Sequence, residues 1–206
     1  YSKQAFSTTQ RTADAKPCFV RLIAHTITPQ TLIFRNFNTC FGENLPHPIR
    51  EWLLDTGSLT KRLIKTSKGH FAVNVLSQRW AAAQFSEYQL LGIKPGEICL
   101  IREVLLQCNQ SPWVYARSAL PLSSLTGKLR HLRHFDNRPL GQLLFNAPKL
   151  KRSSFQIAQL NAGQLPLSAS AQIEDKNAKL WGRRSRCVLY NKPLLVSEIF
   201  LPSFQP

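Results

Sequence analysis

From Pro46 onward the alternation of apolar and polar positions becomes regular enough to predict elements. Ile49, Trp52 and Leu53 recur at helical spacing behind Pro48, a residue tolerated in a first helical turn, and Gly57 ends that helix. Ser58 then reads as the N-cap of a second short helix carrying Leu59, Leu63 and Ile64. Period-two alternation predicts strands over 70–80, 97–107 and 112–120, the last two joined by a turn at 108–111. A second helical pair follows. It covers 123 to about 134, then a turn at 136–138, and then a helix opened by Pro139 that carries Leu140, Leu143, Leu144 and Phe145. Residues 155–160 read as a strand and 161–179 as a polar surface loop. Strands 180–190 and 193–201 close the pattern around a tight turn at Asn191–Lys192. Residues 1–45 carry little periodicity, with 18–24 as one short strand or helix. The polar, Ser/Thr-rich stretch 1–16 is faintly like a transit peptide and reads as a loose terminus. The prediction is an α+β fold: a six-stranded antiparallel sheet interrupted by two helix–turn–helix pairs. The domain spans 46–206, and 1–45 is an unassigned N-terminal extension.

Two charges break this pattern. Ile98, Leu100, Arg102, Val104 and Leu106 share one face of their strand, and Arg102 stands in the middle of the row. Leu194, Val196, Glu198 and Phe200 share a face of the last strand, which Glu198 interrupts in the same way. A buried charge is costly without a partner. The two therefore either clasp one another or face a cavity whose ligand supplies the complement, a flat anionic molecule with polar ends. Leu59 and Leu140 each open a helix, so their main-chain N–H groups lack intrahelical acceptors and lie near positive dipole ends, where anions bind.

Composition narrows the chemistry. The 206 residues hold 27 Lys and Arg against 11 Asp and Glu, a formal charge of +16, which suits nucleic acid or a small anionic substrate. Between Lys128 and Arg152 lie seven basic residues and a single acid, Asp136, together with His131 and His134. Most aromatic residues fall on apolar strand faces rather than among the basic ones, which argues against nucleic acid. Five scattered cysteines without a CxxC suggest reduced thiols in a cytoplasmic protein. No run approaches the ~18–20 apolar residues of a membrane helix. Neither a P-loop, a GxSxG, a GxGxxG nor an HExxH occurs, and the reading calls for no metal or organic cofactor.

The segments WLLDTGSLTKRL (52–63), LIREVLLQ (100–107), PWVYARSALPLSSLTG (112–127), RPLGQLLF (138–145), LWGRRSR (180–186) and KPLLVSEIFLP (192–202) resemble, in order, those of chorismate–pyruvate lyase. The resemblance implies an enzyme that splits chorismate into 4-hydroxybenzoate and pyruvate at the start of ubiquinone synthesis. It further implies a monomer with a buried product pocket behind two helix–turn flaps, tight product retention and no cofactor. Carried onto this chain, Arg102 binds the ring carboxylate, Glu198 faces the 4-hydroxyl end, and Leu59 and Leu140 contact the ligand. Desolvation of Glu198 suggests a general acid or a hydrogen-bond partner. One of Arg183 and Arg184, which alternate to opposite faces, could meet the pyruvyl carboxylate. The alternative within the same fold is a non-catalytic small-acid sensor.

Overall fold

The computed structural model describes residues 34–36, 45–134 and 138–206. The expectations for 18–24 and for the turn at 136–138 therefore lie largely or wholly outside the described residues. Six long strands, β2 (Phe71–Ala82), β3 (Ile98–Cys108), β4 (Ser111–Pro121), β6 (Gln156–Asn161), β7 (Lys179–Leu189) and β8 (Lys192–Phe200), form one antiparallel sheet. Two strands of two residues each, β1 (Arg35–Asn36) and β5 (Lys151–Arg152), add to it on β6 and β7. The order is β1-β6-β7-β8-β4-β3-β2, so the C-terminal strand inserts between β7 and β4 and closes the middle of the sheet. The α+β prediction and the six principal strands hold, with the two short strands as additions too brief to leave a periodic signal.

Apolar residues on both faces of β3, β4, β7 and β8 are buried because both faces are covered. On the front lie two helical pairs. The first is α1 (His47–Leu54) with α2 (Leu59–Thr66), and the second is a 3-10 helix (Gly127–His134) followed by α4 (Leu140–Asn146). The back is covered by α3 (Phe85–Leu91), which the alternation pattern missed, and by the segment 161–179. That segment is not the surface loop expected of it. A short 3-10 turn (Ala162–Gln164) and α5 (Leu167–Ser170) bury Leu165, Ala169 and Ile173 against Leu105, Tyr115 and Ile199. Its few apolar residues are spread too irregularly to give a period, yet each lands on the sheet.

The core divides in a way that creates the site. On the front, Leu53, Leu59 and Leu63 pack with Leu106, Ile157 and Phe200 in one cluster. Leu125, Leu129, Leu140 and Leu144 pack with Leu100, Leu120 and Leu194 in another. Between the two the sheet presents polar side chains. The back repeats the division, with a polar row crossing between its own two clusters.

Candidate active site

The ladder registers define the polar patch on the front. One row runs Val104–Ala116–Glu198–Arg183–Ile157 across five strands, and the next runs Arg102–Ser118–Val196–Ser185. Arg102 and Glu198 thus point to the same face, two strands and two residues apart, about 12 Å between Cα atoms from strand spacing and rise. Between them the intervening strand presents two small side chains on that face, Ala116 and Ser118. Both charged residues are buried, at 3% and 7% exposure. They do not clasp one another. Arg102 Nη2 donates to the carbonyl of Arg138 at 3.2 Å.

Glu198 is not the lone carboxyl expected from its strand. Arg183 Nε donates to its Oε2 at 2.7 Å, and Arg183 is completely buried. The same guanidinium donates through Nη1 to the carbonyls of Trp52 and Asp55, each at 2.7 Å, and stacks 4.4 Å from the Phe155 ring. Its Nη2 is buried with no acceptor. Glu198 Oε1 takes no hydrogen bond among the described residues. One arginine therefore fixes the carboxylate of β8 and the end of α1 together. Arg184, its neighbour, faces the back, donating to Gln156 at 2.8 Å and Ser86 at 3.0 Å. Burial pushes its guanidinium down to about 10, partly opposed by Glu87, and it remains a cation at neutral pH.

The β7–β8 turn lies one residue earlier than the expected Asn191–Lys192, and that shift makes the pair. A turn at Asn191–Lys192 sets Ser185 opposite Glu198. The turn falls at Tyr190–Asn191, both with positive φ (52° and 60°), so Leu189 pairs with Lys192 and Arg183 comes opposite Glu198. Asn191 suits that conformation, whereas a tyrosine at positive φ is uncommon, so residue preference alone points to the wrong pair.

The two helix starts converge above the patch. Ser58 Oγ caps α2 by accepting from Lys61 N at 3.4 Å, and Pro139 precedes α4. Leu59 and Leu140, each first in its helix, are buried at 3% and 5%. The pairs touch at the next residues: a Cβ on Gly141 would lie 3.0 Å from Thr60 Oγ1, so the glycine permits the close approach. All four residues expected at a site, Arg102, Glu198, Leu59 and Leu140, thus lie on the front, in or beside the gap between its two apolar clusters.

A family model described as chorismate lyase matches residues 42–205. The chain belongs to the chorismate lyase family. Among chorismate lyase relatives, a protein of Aromatoleum aromaticum named "Probable chorismate pyruvate-lyase" is 41% identical over 162 residues, covering 77% of this chain and 87% of its own length. One of the same name from Pseudomonas putida is 38% identical over 160 residues, covering 78% and 83%. Among solved structures, PhnF from Mycobacterium smegmatis matches with TM-score 0.55 at 14% identity, covering 74% of this chain and 67% of that one. A GntR-family transcriptional regulator from Bacillus cereus matches with TM-score 0.50 at 12% identity, covering 66% and 95%. Those two likenesses are of fold alone.

A charge network on the back of the sheet lies outside the residues expected at a site. Arg117 bonds Glu87 at 2.7 Å and Glu103 at 2.7 Å, and Glu103 also accepts from Tyr115 at 3.0 Å and Arg79 at 3.1 Å. Burial raises the Glu103 carboxyl, but the Arg117 charge and the three donors outweigh it and hold it below the usual carboxylate range. Burial also raises the Tyr115 phenol, and Glu103 adds to that. The signal was present in the strand alternation: Glu103 and Arg117 interrupt apolar rows as Arg102 and Glu198 do, on the opposite face. Cys99, Cys108 and Cys187 are buried and free. Among the described residues no helix is long and apolar enough to cross a membrane.

Proposed function

We propose that the front of the sheet, under the two helical pairs, binds chorismate and eliminates pyruvate from it to leave 4-hydroxybenzoate, the entry step of ubiquinone synthesis. The observation that carries the reading is the placement of Arg102 and Glu198 on one buried face, held apart over Ala116 and Ser118. Arg102 and the N–H groups of Leu59 and Leu140 hold the ring carboxylate, a guanidinium and two helix starts around one anion. Glu198, with Oε2 engaged by Arg183, presents Oε1 to the 4-hydroxyl. Arg183 Nη2, buried and lacking an acceptor, is the donor available to the enolpyruvyl carboxylate.

The C4 hydrogen leaves as a proton, its bonding pair forms the new ring double bond, and the ether C–O bond breaks toward the enolpyruvate oxygen. The departing enol takes up one proton as it becomes pyruvate, so the net reaction consumes none. Aromatisation drives the step. The protein's part is to hold the reactive conformer and to meet negative charge growing on the leaving oxygen with fixed donors. Residues 46–206 supply all of these groups as one domain, and of the stretch before it Arg35–Asn36 adds a strand to the same sheet and Leu45 joins its core. The chain acts as a monomer in the cytoplasm, in keeping with its buried free thiols.

The test is to incubate the purified protein with chorismate, measuring pyruvate with lactate dehydrogenase and 4-hydroxybenzoate by absorbance. Equal amounts of both are expected. Arg102→Ala should lose turnover by roughly a hundredfold or more, the loss of a charged anchor worth about 3 kcal/mol. A protein that binds 4-hydroxybenzoate yet leaves chorismate intact is the sensor instead. Near wild-type turnover in Arg102→Ala refutes the anchor.

A further inference from the structure

One end of the sheet carries a contiguous patch that the chemistry does not use. It is formed where β3 begins, β4 ends and the β7–β8 hairpin turns. Ile98, Leu122 and Tyr190 stand 42%, 42% and 39% exposed there, half of the large apolar residues that the described chain leaves open. Hydrogen bonds and one cation–ring contact tie their segments together. Leu122 N donates to the Ile98 carbonyl at 2.9 Å, Lys192 Nζ donates to the Ser123 carbonyl at 3.1 Å, and Lys128 Nζ lies 5.0 Å from the centre of the Tyr190 ring. Tyr190 occupies a hairpin position with φ of 52°, where glycine, asparagine or aspartate fit without strain. An exposed aromatic is thus held at the tip of a turn against its own backbone preference.

Cations surround these apolar tips. Lys128 and Arg130 are exposed on the 3-10 helix, as are His131 and His134. Between this helix and α4 runs an open groove of about 500 Å³, with Lys128, His131 and Arg138 along it and Leu143, Leu189 and Tyr190 among its apolar walls. Lys128, Arg130 and Lys192 stand at the patch with one acid, Glu97, whose carboxylate accepts from Ser123 Oγ. A surface that couples several fixed cations to protruding apolar side chains complements a layer of anionic headgroups over hydrocarbon, because neither half of the pattern is satisfied by water alone.

We propose that this end of the sheet docks on an anionic phospholipid bilayer. Ile98, Leu122 and Tyr190 enter the headgroup layer, Lys128, Arg130 and Lys192 meet lipid phosphates, and the groove beside α4 takes one headgroup. The docking is peripheral, and it stands or falls separately from the lyase chemistry, which none of these side chains serves.

The experiment is co-sedimentation of the full chain with vesicles of phosphatidylcholine containing roughly 30% phosphatidylglycerol, at about 0.1 M salt, beside vesicles of phosphatidylcholine alone. Binding is expected to the first and not the second. Lys128→Glu with Lys192→Glu should weaken it roughly tenfold or more, since each cation near such a surface contributes about fivefold. Leu122→Ser with Tyr190→Ser should weaken it by a similar factor through lost apolar insertion. Lys65→Glu with Lys179→Glu, at the far end of the sheet, is the matched control and should bind as wild type. Unchanged chorismate turnover by all three double variants, or unchanged thermal unfolding if no turnover is found, shows that they fold. The proposal is overturned if the far-end control loses as much as the near-end pair, because binding then follows net charge. It is equally overturned if the serine variant binds normally, if the wild type ignores anionic vesicles, or if a single-stranded oligonucleotide displaces it from them through the same lysines.

Discussion

Replacing Arg183 by methionine isolates the contact on which the site is assembled. The guanidinium is wholly buried and makes a 2.7 Å ion pair with Glu198 and two 2.7 Å bonds to the Trp52 and Asp55 carbonyls. Methionine fills much of the volume but leaves the Glu198 carboxylate desolvated and uncompensated, a loss of about 3–5 kcal/mol for a broken buried pair. Against a total stability of about 5–15 kcal/mol this is a large fraction, and in a domain of this size it lowers Tm by roughly 10 °C. The stranded charge, rather than the missing bonds, is the main cost. Adding Glu198→Gln to Arg183→Met should therefore recover about half of the loss, a coupling well outside additivity. Urea unfolding followed by tryptophan fluorescence measures each corner of the cycle, with Arg183→Lys as a fourth variant that keeps the charge and loses the fork. Steady-state kinetics of the same proteins should show kcat falling with Arg183→Met even where KM changes little. A single variant within about 1 kcal/mol of wild type, or a double variant worse by the sum of both singles, refutes the account.

Gly141→Ala places a Cβ 3.0 Å from Thr60 Oγ1 at the junction of the two helical pairs. The helix gains up to about 1 kcal/mol of propensity, so stability should hardly fall. The helix starts are nonetheless pushed apart, and 4-hydroxybenzoate affinity should drop severalfold by fluorescence titration. Thr60→Ala, which removes the opposing oxygen, should restore affinity in the Gly141→Ala background, and failure to restore it refutes the contact. Glu103 predicts an acid limb. Its carboxyl titrates lower in the folded chain than in the unfolded one, so its stabilisation is complete above the ordinary glutamate pKa of about 4.3 and is lost as pH falls through the folded value. The urea midpoint of wild type should fall more steeply below about pH 4 than that of Glu103→Gln, and parallel curves refute the assignment.

Alternation along single strands was enough to place Arg102 and Glu198 on buried faces and to locate the helix starts at Leu59 and Leu140, because these are local properties of period and capping. Ser58, Pro139 and the apolar rows of β3 and β8 say the same thing at every scale, and the structure agrees with them. Other features were decided only by tertiary structure, because they depend on which strands become neighbours and in what register. A shift of one residue in the β7–β8 turn moves the pairing by two and exchanges Arg183 for Ser185 opposite Glu198. No side-chain pattern fixes that shift when a tyrosine occupies a left-handed turn position. The convergence of α2 and α4, the back-face network of Arg117 with Glu87 and Glu103, and the burial of 161–179 are likewise long-range pairings. Each joins residues that local sequence leaves without a named partner, and the register of neighbouring strands together with the packing of helices and loops on the sheet brings them together.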